Sequence, residues 1–139
     1  MRLPSRRTRH ERTGAATVEF ALVAPFFFLL ILGIFEVGRG LMVRHLLTNA
    51  ARLGCRAGVI EGTSTAAINA AVAANLKAVG IASELATIQV NGNVADAAGA
   101  RAGDEITVTV SVPVRSVTWV PGGEYLSGSI SGQYTLRRE

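Results

Sequence analysis

Phe20 to Phe35, FALVAPFFFLLILGIF, is a run of sixteen residues without a charge. Extended back to Ala15 it covers 21 residues, and the one charge among them is Glu19. A helix needs about 20 mostly apolar residues to cross the hydrocarbon of a bilayer. In that medium every backbone N–H and C=O must be paired within the segment, so a lone span is helical. The run therefore predicts one membrane-spanning helix over residues 15–36. It also accounts for a mean hydropathy of +0.35 and 49% hydrophobic residues in a chain of 139. A cleaved secretory signal would have a shorter apolar core followed by small residues. Here Glu36-Val37-Gly38-Arg39 follows instead.

The charge is as uneven as the hydropathy. Of fourteen basic residues, five (Arg2, Arg6, Arg7, Arg9 and Arg12) precede Gly14, against one acid, Glu11. From Ala15 onward nine basic residues face nine acidic ones, so the body is neutral. A net charge of +4 spread over a fold would suggest nucleic acid. Confined to a short tail before an apolar helix, it reads as a topology signal, and no nucleic-acid partner is expected. The arginine block places the N-terminus in the cytoplasm and the C-terminal part in the periplasm or its equivalent, with the chain in the inner membrane. Arg39, Arg44, Arg52 and Arg56 follow the span and oppose this asymmetry, Arg39 offset in part by Glu36. Ser5-Arg6-Arg7 invites comparison with a twin-arginine export signal, but Thr8-Arg9-His10-Glu11 is too polar to continue one.

Glu19 is the residue that most needs an explanation. A carboxylate within an apolar span costs about 2.5–3.5 kcal/mol on insertion scales, and needs a partner or a purpose. It could snorkel to the interface from near the helix end. Its setting, Gly14-Ala15-Ala16-Thr17-Val18-Glu19-Phe20, also resembles the processing pattern of type IV prepilins: a small residue, an apolar run, and Glu five residues past the Gly. Cleavage after Gly14 would give Ala15 a free ammonium group, with Glu19 about 6 Å further along a helix rising ~1.5 Å per residue. The carboxylate could then neutralise its own N-terminus or that of a neighbouring subunit, and would favour the positive end of the helix dipole.

Gly14-Ala15-Ala16-Thr17-Val18-Glu19-Phe20-Ala21-Leu22-Val23-Ala24-Pro25 resembles the opening of the TadE-like family. So does the later block Asn49-Ala50-Ala51-Arg52-Leu53-Gly54-Cys55-Arg56-Ala57-Gly58, although Cys55 stands where the family pattern has a small residue such as Ala. The ending Tyr134-Thr135-Leu136-Arg137-Arg138-Glu139 resembles family C-termini more loosely. The resemblance implies a non-enzymatic pseudopilin or minor pilin of the tight-adherence (Tad, Flp-type) pilus, with a role in assembly and adhesion. It implies cleavage by a prepilin peptidase between Gly14 and Ala15. It further implies subunit packing through Glu19, Phe20 and Pro25, a helix motif at Asn49, Ala50, Ala51, Arg52, Gly54 and Arg56, and as partners other pilin-like subunits and the Tad assembly platform. An uncleaved single-pass anchor with an outer binding or scaffold domain is the alternative.

Beyond the span the helical period continues. Val43, Leu47, Ala50, Gly54 and Ala57 form an apolar stripe, and Arg44, Thr48, Arg52 and Arg56 a polar one. One helix from Thr17 to Val59 is expected, about 60 Å long at ~1.5 Å per residue. Gly33, Gly38 and Gly40 weaken its middle, and Pro25 removes a hydrogen bond within the span. Gly54 and Gly58 suit either close approach of another helix or, as the reading preferred here, packing against this chain's own domain. Glu61 to Thr65 is a turn with a helix cap, and Ile68, Val72, Leu76 and Val79 mark a short second helix closed at Gly80. Ile88 and Val90 then alternate with Thr87 and Gln89 before an Asn91-Gly92-Asn93 turn, and Asp96 to Gly103 reads as a flexible loop. Glu105–Val114 is the clearest strand, with Pro113 marking an edge or bulge. Val117 to Val120 is a short run closed by Pro121-Gly122-Gly123. Leu126, Ile130, Tyr134 and Leu136 alternate with polar residues in a last strand. The expected fold is α+β and pilin-like: a leader at 1–14, the span at 15–36, an extracytoplasmic continuation of the helix at 37–60, and at 61–139 a small domain of one short helix and a three- or four-stranded antiparallel sheet.

The side chains suggest no catalysis and no cofactor. Cys55 is the one cysteine, so no internal disulfide can form, and it reads as a buried small hydrophobe. His10 lies in the leader and His45 stands alone, without the neighbours that a metal or a nucleophile would need. Asp104 and Glu105 are adjacent at a strand start and point to opposite faces. Trp119 is expected to be a packing residue, with an exposed contact to a partner subunit as the alternative. The Thr and Ser stripes of the strands could face carbohydrate, though such faces are usually only wet.

Overall fold

The computed structural model describes residues 10–81, 84–120, 125 and 127–139, and side chains from residue 14 onward. The arginine side chains before Gly14, the Pro121-Gly122-Gly123 turn and Leu126 lie outside the described residues. The chain divides into two units, Met1–Phe35 and Glu36–Glu139. Helix α1 is assigned over His10–Gly58 and is not interrupted at Pro25, Gly33, Gly38 or Gly40. It begins earlier than the expected Thr17, because nothing between His10 and Thr17 breaks a helix.

In the first unit α1 is a bare apolar cylinder. None of its most apolar eighteen-residue window is buried, and Phe20, Phe26, Phe27, Phe28, Leu29 and Leu30 are all exposed. That is the surface expected of a helix whose solvent is lipid.

The second unit is α+β, a four-stranded sheet covered on one face by helices. Helix α2 spans Thr65–Ala78. Strands β1 (Leu85–Val90), β2 (Asn93–Val94), β3 (Glu105–Pro113) and β4 (Ser129–Arg137) lie in the order β2-β1-β3-β4, antiparallel throughout. The expected short helix and antiparallel sheet are both present. The inner face follows the period-two pattern. Ile88 pairs with Val108 and Tyr134 lies opposite Val108 on the other side, while Ile106 sits between Val90 and Leu136. Val108, Val110 and Val112 are fully buried against Leu47, Ala50, Ala51 and Cys55 of α1 and Ile68, Val72 and Leu76 of α2. At about 25 cal/mol per Å2 of apolar surface, this core is the main source of the unit's stability.

Local chemistry sets the element ends. Ser64 caps α2, its hydroxyl accepting from Ala67 N at 3.3 Å. Gly80, at φ +80°, closes the helix: its N–H bonds Lys77 O at 3.1 Å and Ile81 N bonds Leu76 O at 2.9 Å, the paired bonds of a Schellman motif. Asn91 and Gly92 both have positive φ, 51° and 80°, so β1 and β2 are joined by a type I′ turn.

Three expectations need correction. Val79 is exposed, because the Schellman turn redirects the chain and gives its core place to Ile81. Val114 leaves the strand for a short 3-10 turn, Val114–Ser116, as Val114 N bonds Gly128 O at 3.0 Å. Pro113 stands at the end of the central strand where only β4 remains beside it, the edge position expected there. It is tolerated because β1 pairing ends at Ser111, so no neighbour awaits its missing N–H. The Asp96–Gly103 loop contains a 3-10 turn, Ala97–Gly99, with Ala97 fully buried, and it is tied at both ends by hydrogen bonds. Val117 to Val120 contains no strand.

Candidate functional site

The residues singled out by sequence fall into two groups with different surroundings. Gly14, Ala15, Glu19, Phe20 and Pro25 belong to the first unit and are all exposed on α1. The Gly14–Ala15 bond lies within the helix. No described side chain bonds Glu19, which stands in an apolar surround with Phe20 beside it and Val18, Leu22 and Val23 within one turn.

The second motif serves the core of the second unit. Ala50 and Ala51 are fully buried and Gly54 is buried, whereas Asn49, Arg52 and Arg56 are exposed. Gly54 is required by packing: a Cβ there would meet Val72 Cγ2 at 2.8 Å and Ile68 Cγ2 at 3.3 Å. At Gly58 it would meet Ile68 Cδ1 at 2.8 Å. The small residues therefore admit α2 and the sheet of the same chain, the preferred reading of the two. Arg52 lays its guanidinium over the Tyr134 ring at 4.9 Å, a cation–π contact at the sheet edge. Cys55 is fully buried, with Sγ 3.2 Å from Tyr134 O and 3.5 Å from Ile106 O. Burial pushes its thiol above the usual range. It is a core residue, as expected.

Sequence reasoning missed two positions that hold the second unit together. At Gly132, on β4, an added Cβ would lie 2.4 Å from Thr48 N and 2.6 Å from Leu47 C, so the strand rests directly on the α1 backbone. Arg138 is 1% exposed. Its guanidinium donates to Val59 O at 3.4 Å, Ile60 O at 2.6 Å, Ala97 O at 2.9 Å and Ala100 O at 2.7 Å. It thereby satisfies carbonyls just past the end of α1, where orphan acceptors and the negative dipole end attract a cation. A signal was present: Arg138 continues the alternation of Ile130, Tyr134 and Leu136 on the inner face.

The loop opposite is held by acids. Asp96 accepts from Thr65 N at 3.0 Å, Thr65 Oγ1 at 2.9 Å and Ala98 N at 3.1 Å. The Thr65 and Ala98 bonds hold its carboxyl below the usual carboxylate range. Asp104 accepts from Arg101 N at 2.7 Å and Asn91 Nδ2 at 2.8 Å, and is lowered in the same way. Both acids act as turn braces. Trp119 is not the expected packing residue. It is 79% exposed, with the Arg39 guanidinium 4.1 Å from its ring centroid, while Arg39 Nε donates to Val117 O.

The model of one protein family, described as TadE-like protein, matches residues 14–56. The match opens at Gly14 and closes at Arg56, taking in the apolar helix and the small-residue motif. No curated protein and no solved structure matches the chain. Residues 14–56, about a third of the chain, are therefore similar to the TadE-like family.

Proposed function

We propose that the chain is a pseudopilin or minor pilin that takes part in assembling a Tad-type pilus from the inner membrane, without catalysing a reaction. The observation that carries this reading is the family match, which opens at Gly14, immediately before an apolar helix that bears one carboxylate. A prepilin peptidase cuts between Gly14 and Ala15 and removes the basic leader. The new Ala15 ammonium then lies about 6 Å along the helix from Glu19. Lipid drives helix association no better than leucine side chains do, so packing and polar contacts decide it. A Glu19 carboxylate seeking an ammonium on a neighbouring helix sets the register between subunits. Phe20 and Pro25 contribute shape to the same surface, and the second unit faces outward toward partner subunits and platform proteins.

Intact-mass measurement of the membrane-extracted protein, from cells with and without the prepilin peptidase, tests the first step. Loss of residues 1–14 only where the peptidase is present is the expected result. A full-length mass in both would sink the processed-pilin reading and leave an uncleaved membrane anchor.

A further inference from the structure

Arg39 lies four residues past Phe35, the last residue of the apolar run, hence about 6 Å further along a helix rising ~1.5 Å per residue. If residues 15–36 span the bilayer, that is the level of the lipid headgroups. The chain returns to this level far along the sequence. Val117 O accepts from Arg39 Nε, and Trp119 stacks on the same guanidinium at 4.1 Å. A large aromatic ring in a packed domain is normally covered, yet Trp119 is 79% exposed. Leu41 and Met42, on the next turn of α1, are exposed as well. Glu36 stands one turn before Arg39, so this patch carries both signs and no strong net charge. A strongly charged partner is not what it fits.

We propose that Trp119 and Arg39 form an interfacial anchor that seats the second unit on the phospholipid surface, the ring among the glycerol and upper acyl carbons and the guanidinium on lipid phosphate. Indole is favoured at this depth because its body is apolar and its N–H finds oxygen acceptors. Arginine adds a planar donor fork matched to phosphate. Lipid is the occupant the observations favour, because Arg39 follows the last residue of the apolar run by only four positions in the sequence. The proposal rests on the reading of residues 15–36 as a membrane span.

Trp119 is the only tryptophan in the chain, so the unmodified protein carries its own probe. The protein is reconstituted into phosphatidylcholine–phosphatidylglycerol vesicles. Tryptophan emission is then measured with spin-labelled lipids carrying the label close to the headgroup or near the chain end, and with aqueous acrylamide. A second sample carries Phe27→Trp in a Trp119→Phe background and reports on the span itself. The expected result is that Trp119 loses most of its emission to the shallow label, little to the deep one, and is shielded from acrylamide, while the Phe27→Trp probe is quenched by the deep label. Trp119 open to acrylamide and untouched by either lipid label, with the Phe27→Trp probe still quenched deep, overturns the anchor and leaves the span standing. Trp119 shielded from lipid labels and acrylamide alike means a protein partner covers it, and also overturns the anchor. A Phe27→Trp probe that no lipid label reaches overturns the span, and the anchor with it.

Discussion

At the scale of single residues, Gly132 and Arg138 are the positions where one change does most harm. A side chain at Gly132 would meet main-chain atoms of Leu47 and Thr48, which cannot swing aside as a flexible side chain could. Gly132→Val is expected to destabilise the detergent-solubilised chain by about 3 kcal/mol, the upper end for overpacking. Gly99→Ala, where nothing lies within 4 Å, should cost less than about 0.5 kcal/mol as an ordinary surface substitution. Urea midpoints at constant slope compare the two, and equal midpoints would show that β4 does not rest on α1. Arg138→Met strips the Val59 and Ala100 carbonyls of their donor and leaves those of Ile60 and Ala97 with only Thr63 N and Ala100 N. About 3 kcal/mol is expected, because buried acceptors stripped of a charged donor bear their full desolvation cost. Arg138→Lys should recover little, since an ammonium cannot span the four oxygens as the planar fork does.

At the scale of elements, the start of α2 and the 3-10 turn at Ala97–Gly99 are joined through Asp96. Its carboxyl titrates below the usual range, and so does that of Asp104. A depressed carboxylate contributes stability above its unfolded value, near ~3.9, and that contribution is lost as pH falls through the lower folded value. The thermal midpoint is therefore expected to fall on acidification below about pH 4. Asp96→Asn, which cannot titrate, should make that fall shallower, whereas an unchanged acid limb would remove Asp96 from the linkage. The α1–α2 contact makes the same kind of demand. Gly54→Leu would drive a branched side chain into Val72 and Ile68. It should lower stability by more than Gly40→Leu, a site with nothing within 4 Å of an added Cβ.

At the scale of the whole molecule, the two units respond to different solvents. The second unit buries an aliphatic core of its own, while the first exposes its apolar side chains on every face. Glu19 belongs to the first unit and is no part of the second unit's core, so Glu19→Ala should leave membrane retention and the thermal midpoint unchanged. On the proposed function the same variant should lower surface pilus yield several-fold, read by counting fibres after shearing. Unchanged yield would mean that register is set elsewhere.

The amino-acid pattern alone located the long apolar helix, the capped second helix, the Asn91-Gly92 turn and the inward faces of β3 and β4. Each of these rests on local physics: a run long enough for a bilayer, residues that supply φ > 0 or cap an N–H, or side chains that alternate every second position. It also placed the small residues of the 49–58 motif on a contact face, and packing against this chain's own domain was already the preferred reading. What it could not determine were contacts between residues about forty to eighty-five positions apart. Gly132 matters because the α1 backbone lies on it, Arg138 because the end of α1 and the 97–100 carbonyls converge there, and Trp119 because the chain returns to Arg39. A glycine in a strand, an arginine near a C-terminus and a tryptophan beside a proline look ordinary in sequence. Only tertiary packing decides which is pressed against a helix, which is buried as a cap and which is left in the open, because burial and hydrogen-bond demand are properties of the assembled surroundings rather than of the residue.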